Sequence, residues 1–295
     1  MVTARRLLWV ITATLLLAAC ERASDSEDSS GGVVSEQLAA DSEQSDAAPY
    51  VLPDMDVLSE TVVYAEIAGR AVSGYLAYPA DAHGALPAVL MFHEWWGLNE
   101  DIKTMADRLA GQGYLVLAVD LYGGEVATDS ENAQNLMRAA LADEQSLDAN
   151  ITQAHKFLHD QTQAVAIATL GWSLGGTMSL RAASKLPQNV DLAVIYYGTV
   201  ADFSEEQLAR LSMPVLGIFG GRDQSIPAAE VEQFRGRMNT LGKHAEIHIY
   251  ETAGHAFANP AGTNYQAEAA EDAWDKTLEF LDRYLNAGLY SIPTG

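Results

Sequence analysis

Thr169-Leu170-Gly171-Trp172-Ser173-Leu174-Gly175-Gly176 is the stretch of this sequence that decides the fold. An apolar run rich in β-branched residues covers residues 164–170 and predicts a buried strand, and residues 177–186 predict a helix. The glycine-rich segment between them is then a sharp strand-to-helix turn. Its pattern, G-x-S-x-G, is typical of an activated serine at the carboxyl end of a sheet.

The glycines on either side of Ser173 have a steric explanation. A serine at the apex of such a turn has strained backbone geometry, so the residues two positions away must lack side chains if strand and helix are to close around it. Gly171 and Gly175 occupy those two positions. The alternative is a glycine-rich turn with an ordinary surface serine, and the pattern alone leaves that alternative open.

Length and charge restrict the possible functions. The chain has 295 residues, of which 48% are hydrophobic, which is enough for one large α/β domain or two small domains. The formal net charge of −23 argues against nucleic acid or an anionic membrane surface as a partner, because both attract clusters of Lys and Arg. The one cysteine, Cys20, lies outside the globular region, so the predicted domain has no disulfide, no cysteine metal site and no thiol nucleophile.

The N-terminal part of the chain has the composition of a targeting segment and a linker. Two arginines precede an apolar run over residues 7–19, which is too short to span a bilayer and is typical of an export signal. Because the run ends at Cys20, it resembles a bacterial lipoprotein signal, in which the cysteine is lipidated; the alternative is an ordinary signal peptide with a chance cysteine. Residues 21–49 are rich in Ser, Asp and Glu and predict a disordered acidic tether. We expect an exported protein attached only by this lipid to a bacterial membrane, at its periplasmic or outer-membrane face.

From residue 50 onward, strand and helix patterns alternate. Residues 61–67 and 73–78 predict an antiparallel hairpin joined across Ala68-Gly69-Arg70. Further strands, interleaved with helices, are predicted over residues 87–92, 114–120, 164–170, 191–197, 214–219 and 244–250. The alternation predicts a mostly parallel sheet with helices on both faces. We therefore expect one α/β domain over residues 50–295, after a signal peptide over 1–19 and a lipidated cysteine with its linker over 20–49.

Two later loops supply the partners that a serine nucleophile requires. Asp223 follows the strand predicted over 214–219, and His255 follows the strand predicted over 244–250. A serine hydroxyl needs a base to take its proton, and the base works best when a carboxylate fixes its tautomer. The chain order Ser173, Asp223, His255 is that of the α/β-hydrolase triad, and each residue follows the carboxyl end of a strand. The sequence therefore predicts an α/β-hydrolase fold.

Five motifs occur together, and in combination they are similar to those of the dienelactone hydrolase family over residues 62–285. They are His93-Glu94-Trp95-Trp96-Gly97, Asp120-Leu121-Tyr122, Gly171-Trp172-Ser173-Leu174-Gly175-Gly176, Gly220-Gly221-Arg222-Asp223 and Ala253-Gly254-His255-Ala256-Phe257. The resemblance implies that Ser173 is the nucleophile, Asp223 the orienting carboxylate and His255 the base. It also implies an oxyanion hole formed by the backbone N–H groups of Leu174 and Trp95, a carboxylic ester or lactone as substrate, and no metal or cofactor.

The sequence departs from the family in two places. The founding members have a cysteine nucleophile, and a serine favours an acyl-enzyme that water hydrolyses. In those enzymes an arginine soon after the histidine holds a substrate carboxylate, whereas this chain has Asn259 there. A carboxylate in a desolvated pocket needs a cation, so a neutral ester or lactone is expected.

Three further residues are candidates for the active site. The resemblance places Glu94 where the family has a glutamate that interacts with the resting nucleophile. Beside a serine, its role is open between catalysis and orientation of the loop or of a water molecule. Trp172 and Tyr122 are expected to line an apolar pocket, with core packing as the alternative.

Two other functions are compatible with the same residues. The triad could transfer an acyl group or cleave a peptide bond, or the chain could be a surface-anchored binding protein on a hydrolase scaffold that has lost its activity. Reactivity at Ser173 separates the last alternative from the others, because a binding scaffold needs no activated hydroxyl.

Overall fold

The computed structural model describes residues 55–286. The predicted signal peptide over 1–19, Cys20 and the linker over 20–49 lie outside the described residues, so they stay predictions. Among the helices of residues 55–286, none combines the length and apolar character needed to cross a membrane.

The described residues form a single eight-stranded sheet. The strands are β1 (Val57–Ile67), β2 (Arg70–Pro79), β3 (Ala88–Phe92), β4 (Leu115–Val119), β5 (Ile167–Trp172), β6 (Leu192–Tyr196), β7 (Val215–Gly220) and β8 (Ala245–Tyr250). Their spatial order is β1-β2-β4-β3-β5-β6-β7-β8. The pairs β1/β2 and β2/β4 are antiparallel and every other neighbouring pair is parallel, which confirms the predicted mostly parallel sheet.

The predicted hairpin at the edge of the sheet is also present. Ala68 and Gly69 both have positive φ, 49° and 75°, which is the geometry of a two-residue turn between antiparallel strands. Because β1 and β4 both run antiparallel to β2, β1 runs in the same direction as the parallel strands. Its first residue, Val57, pairs with Pro79. Val57 therefore lies at the end of the sheet where the parallel strands have their N-termini.

Seven α-helices occur within residues 55–286. They are α1 (Glu100–Ala110), α2 (Ser130–Ala142), α3 (Glu144–Thr162), α4 (Leu174–Lys185), α5 (Glu205–Arg210), α6 (Ala228–Thr240) and α7 (Ala267–Leu281), and a π-helical turn (Asp282–Asn286) continues α7. The short α5 was not predicted, because six residues are too few to establish a helical period. Its local signal is a capping box in which Ser204 and Gln207 exchange hydrogen bonds with each other's backbone.

Helices cover both faces of the sheet, and the central strands have apolar residues on both sides. In β3, Val89 and Met91 pack with residues of α1 and α7, whereas Leu90 and Phe92 pack with residues of α3 and α4. Full burial of one such side chain contributes roughly 1.5–3 kcal/mol. The sheet is therefore held between two hydrophobic layers, as the predicted α/β-hydrolase fold requires, and the fold class is confirmed.

The turn between β5 and α4 leaves no space for side chains at two positions. A Cβ on Gly171 would lie 2.3 Å from the carbonyl oxygen of Gly175, and a Cβ on Gly175 would lie 2.1 Å from the carbonyl oxygen of Phe92. Both distances are far below van der Waals contact, and backbone atoms occupy both places. The glycines therefore allow the first turn of α4 to lie directly against the ends of β3 and β5.

We expect Gly175→Ala to lower the free energy of unfolding by about 3 kcal/mol, because the added methyl group forces backbone segments apart. Gly236→Ala is the matched control: Gly236 lies in α6 with open space around its Cα, and alanine there is expected to stabilise the helix by about 0.5–1 kcal/mol. Urea denaturation of the purified protein and both variants measures the two effects. Equal stability of the two variants would contradict the explanation given for Gly175.

Candidate active site

Ser173 lies between the end of β5 and the start of α4 and has an unusual backbone conformation. Its φ is 53° and its ψ is −114°, which is strained for a residue with a side chain. Its backbone N–H donates to the carbonyl oxygen of Tyr196 at 2.9 Å, which ties the turn to the neighbouring strand β6. Packing on all sides therefore maintains a conformation that an isolated serine would avoid.

A chain of two hydrogen bonds joins Ser173, His255 and Asp223. The distance from His255 Nδ1 to Asp223 Oδ2 is 2.7 Å, and that from His255 Nε2 to Ser173 Oγ is 2.9 Å. Since an ionised carboxylate can only accept, Nδ1 carries the imidazole proton and donates it. Nε2 of the neutral ring then has a free lone pair directed at the serine hydroxyl. This arrangement can remove a proton from Ser173 Oγ.

Asp223 and His255 are both fixed by their own loops. Asp223 Oδ1 accepts hydrogen bonds from the backbone N–H groups of Ser225 at 2.7 Å and Ile226 at 2.9 Å, so the carboxylate has one orientation. The Asn264 side chain donates to the carbonyl oxygen of His255 at 3.0 Å. The Asp223 side chain is fully buried, whereas 28% of the His255 side chain is exposed. The imidazole of His255 is therefore accessible from the solvent, while the carboxylate of Asp223 is not.

Leu174 and Trp95 lie in two segments that meet beside Ser173. Leu174 is the first residue of α4, where backbone N–H groups have no partner within the helix and the helix dipole favours negative charge. Trp95 lies in the turn after β3. A Cβ on Gly175 would lie 2.7 Å from the carbonyl oxygen of His93, so the first turn of α4 and the start of this turn are in direct backbone contact.

An open cleft lies beside these residues, with about 330 Å³ of space when the solvent at its mouth is included. Its lining is Glu94, Trp96, Asn99, Asp101, Ile102, Met105, Trp172, Tyr197, Ala258, Asn259 and Pro260. Tyr197 connects the cavity to the triad, because its ring packs edge to face on His255 with a centroid distance of 5.3 Å. Sequence reasoning missed Tyr197, although its position directly after β6, at the same sheet edge as Ser173, was an available signal.

Glu94 is a buried carboxyl group in the wall of the cavity. Only 6% of the residue is exposed, and its Oε2 accepts a hydrogen bond from the Asn259 side chain at 2.6 Å. Burial raises the pKa of Glu94 to about 7, although the hydrogen bond from Asn259 and the charge of His255 oppose the shift. Near neutral pH, Glu94 is therefore divided between its protonated and ionised forms.

The other aromatic candidates occupy different places. Trp172 and Trp96 line the cavity, and Trp95 packs on Trp96 with a centroid distance of 5.1 Å. Tyr122 is absent from the lining; it packs edge to face on His93 at 4.8 Å. Within the part of the chain that the structure describes, no group of three or more His, Cys, Asp or Glu side chains could hold a metal ion.

Comparison with known proteins gives consistent matches over most of the chain. Residues 72–285 match the dienelactone hydrolase family. A protein of Escherichia coli (strain K12) named "Putative carboxymethylenebutenolidase" is 30% identical over 265 residues, which cover 83% of this chain and 97% of the relative. A protein of Salmonella typhimurium with the same name is 32% identical over 228 residues, covering 73% of this chain and 84% of the relative.

A solved structure agrees with the sequence matches. A crystal structure of a "Putative Dienelactone Hydrolase" from Klebsiella pneumoniae is 27% identical and superimposes with a TM-score of 0.71. The match covers 78% of this chain and 100% of that one.

Proposed function

This chain belongs to the dienelactone hydrolase family, and on that premise we propose that it is a serine hydrolase that cleaves a neutral carboxylic ester or lactone through Ser173, His255 and Asp223. The observation that carries the proposal is the continuous hydrogen-bonded path from Asp223 Oδ2 through the imidazole of His255 to Ser173 Oγ. The relatives named "Putative carboxymethylenebutenolidase" support the choice of an ester or lactone as substrate.

In the first half of the proposed reaction, Ser173 Oγ attacks the carbonyl carbon of the substrate while its proton moves to His255 Nε2. The negative charge that develops on the carbonyl oxygen is stabilised by the backbone N–H groups of Leu174 and Trp95, which act as the oxyanion hole. Asp223 stabilises the imidazolium that forms. The C–O bond to the leaving oxygen then breaks, and that oxygen takes the proton from His255, which leaves an acyl group on Ser173.

In the second half, water replaces the leaving group. His255 removes a proton from the water as it attacks the acyl carbon, the bond to Ser173 Oγ breaks, and the serine takes the proton back. The product is a free carboxylic acid. With a lactone, the leaving alcohol stays attached to the acyl chain, so a single hydroxy acid is released.

The cavity lining supports a neutral substrate. Its titratable side chains include Glu94 and Asp101, and no Lys or Arg is present among the lining residues. Asn259, which stands where the family has its carboxylate-binding arginine, instead donates to Glu94. A substrate carboxylate in this cavity would lose its hydration and meet like charges without a paired cation, which costs several kcal/mol.

The alternative functions use the same residues differently. An acyltransferase or peptidase would share the acyl-enzyme and differ in the acceptor or in the bond that is cleaved, so a screen of esters, lactones and amides separates these activities. A surface-anchored binding protein would need no base beside Ser173. The hydrogen-bonded path to the serine hydroxyl therefore favours an enzyme over a retired scaffold.

We expect a fluorophosphonate probe to add once to the purified protein and not to Ser173→Ala, as measured by intact mass. The probe mimics the tetrahedral intermediate and reacts only with an activated serine hydroxyl. The same substitution should lower kcat for a p-nitrophenyl ester by about 10⁴-fold or more. The heat-denatured parent serves as a control for labelling that does not need the folded site. A folded parent that takes up no probe would rule out the mechanism.

Asn259→Arg should change the preference between charged and neutral substrates. The matched pair is the p-nitrophenyl ester of succinate, which has a free carboxylate, and that of monomethyl succinate, which is neutral. We expect the parent to prefer the neutral ester by about tenfold or more in kcat/KM, and Asn259→Arg to narrow or reverse that ratio by supplying a cation.

Asn259→Leu is the control for this pair, because it also removes the hydrogen bond to Glu94 but adds no charge. Its ratio should stay near that of the parent. A ratio that shifts equally in both variants would mean that the lost hydrogen bond, and not the new charge, sets the selectivity.

We further propose that the protein is exported and anchored through a lipid on Cys20, with the acidic segment over 20–49 as a tether. The sequence of the first 20 residues is the support for this proposal. The parent expressed in a bacterial host should partition into the detergent phase of Triton X-114, and its mature N-terminal peptide should begin at a lipid-modified Cys20. The Cys20→Ala variant should instead be recovered in the aqueous phase. A parent whose Cys20 is unmodified would refute the anchor.

A further inference from the structure

We propose that His93 is a positioning residue that sets the direction of the Trp95 backbone N–H and so completes the oxyanion hole. This inference rests on the proposed function, because it assigns a task within the same site. His93 does not touch the substrate cavity or the triad. Its side chain instead joins two backbone segments that follow neighbouring strands, β3 and β4.

The hydrogen bonds of His93 determine its tautomer. The ring is fully buried, and its Nε2 lies 3.1 Å from the backbone nitrogen of Leu121. A backbone N–H can only donate, so Nε2 is the acceptor and carries no proton. The proton of the neutral ring is therefore on Nδ1, which lies 2.5 Å from the carbonyl oxygen of Glu94 and donates to it.

The neutral form of the ring is maintained by its surroundings. Burial lowers the pKa of His93 to about 4, so the ring is uncharged at physiological pH. The charged form would carry a second proton, on Nε2, and would lose the hydrogen bond from Leu121. The same tautomer, with the same two bonds, therefore persists at physiological pH.

The bond to the Glu94 carbonyl fixes the peptide group that contains the Trp95 N–H. The described residues contain no cis peptide bond, and in a trans peptide the C=O and N–H groups point in opposite directions. The Glu94 oxygen also accepts from the backbone N–H of Gly97 at 3.2 Å. Because His93 and Gly97 hold the oxygen, the Trp95 N–H points the opposite way within the peptide plane, away from His93.

The second attachment of His93 is itself rigid. Leu121 belongs to a turn in which the Asp120 carboxylate accepts from the backbone N–H groups of Tyr122, at 2.8 Å, and Gly124. The Tyr122 ring packs against the His93 ring. The turn after β4 therefore acts as a fixed support, and the imidazole transmits its position to the peptide between Glu94 and Trp95.

Two substitutions at His93 distinguish the contribution of the Nδ1 hydrogen bond from that of the Nε2 hydrogen bond. In His93→Asn the amide nitrogen can occupy the place of Nδ1 and still donate to the Glu94 carbonyl. In His93→Gln the amide can reach the place of Nε2 and contact Leu121, but no donor remains at the place of Nδ1. Loss of one oxyanion-hole donor typically lowers kcat by about 10²–10³-fold. We expect His93→Gln to lower kcat by about 100-fold with KM within about twofold, and His93→Asn to retain kcat within about tenfold of the parent.

Tyr64→Phe is the matched structural control. The Tyr64 hydroxyl is buried and donates to Asn150 Oδ1 at 2.6 Å, with the carbonyl oxygen of Asp120 at 3.2 Å. Its loss removes a buried hydrogen bond beside the same turn, but the Asn150 amide still donates to the Asp120 carbonyl at 2.8 Å, and the Glu94 carbonyl is unaffected. We expect this variant to lose thermal stability but to keep kcat within about twofold of the parent. All variants are assayed at least 20 °C below their own unfolding midpoints, about the shift that several kcal/mol would cause.

The outcomes distinguish this inference from the proposed function. If the parent has no hydrolysis that depends on Ser173, the proposed function fails, and with it the basis for a role of His93. If the parent is active and folded His93→Gln keeps kcat within about twofold, or if the kcat of all three variants falls in proportion to their stability, the inference alone is overturned. A loss of kcat confined to His93→Gln, with KM unchanged, supports it.

Discussion

The contact between the first turn of α4 and the end of β3 is the constraint on which the rest of the site depends. It requires glycine at Gly175, because the carbonyl oxygen of Phe92 occupies the place of a Cβ. The same contact places the N-terminus of α4 beside the turn that follows β3, and Ser173 lies directly before it in a strained backbone conformation. Ser173 and the backbone N–H groups at the start of α4 are thus positioned by backbone packing, which is the kind of preorganisation that the proposed reaction requires.

The electrostatic surroundings of the two buried carboxyl groups of the site, Asp223 and Glu94, differ sharply. Asp223 accepts two backbone hydrogen bonds in addition to that of His255, which compensates its complete burial. Glu94 accepts a hydrogen bond from the amide of Asn259, and burial raises its pKa to about 7. One carboxyl group is therefore suited to stabilise a positive charge, and the other can exist without charge at neutral pH. The two carboxyl groups differ because different hydrogen-bond donors surround them, and not because one is Asp and the other Glu.

The fold and the positions of the triad could be predicted because each depends on a local pattern. Strands with apolar residues on both faces, glycines around Ser173, and Asp223 and His255 after later strands are all visible in sequence, and the fold and the family are confirmed. The cavity wall could be predicted only in part: Trp172 and Glu94 line it as expected, whereas Asp101 reaches it from α1, which no local motif indicates. The hydrogen bond from the Leu121 N–H to His93 joins residues 28 positions apart, and a periodic sequence pattern gives no sign of such a contact.

The direction of β1 has a consequence for access. Val57 lies at the end of the sheet where the parallel strands have their N-termini. Ser173 and His255 follow the C-terminal ends of strands, at the opposite end of the sheet. The chain that precedes Val57 therefore joins the domain on the side away from the cleft. The length of the parallel strands thus separates Val57 from Ser173, so the side of the sheet on which the cleft opens is free of the first strand's N-terminus.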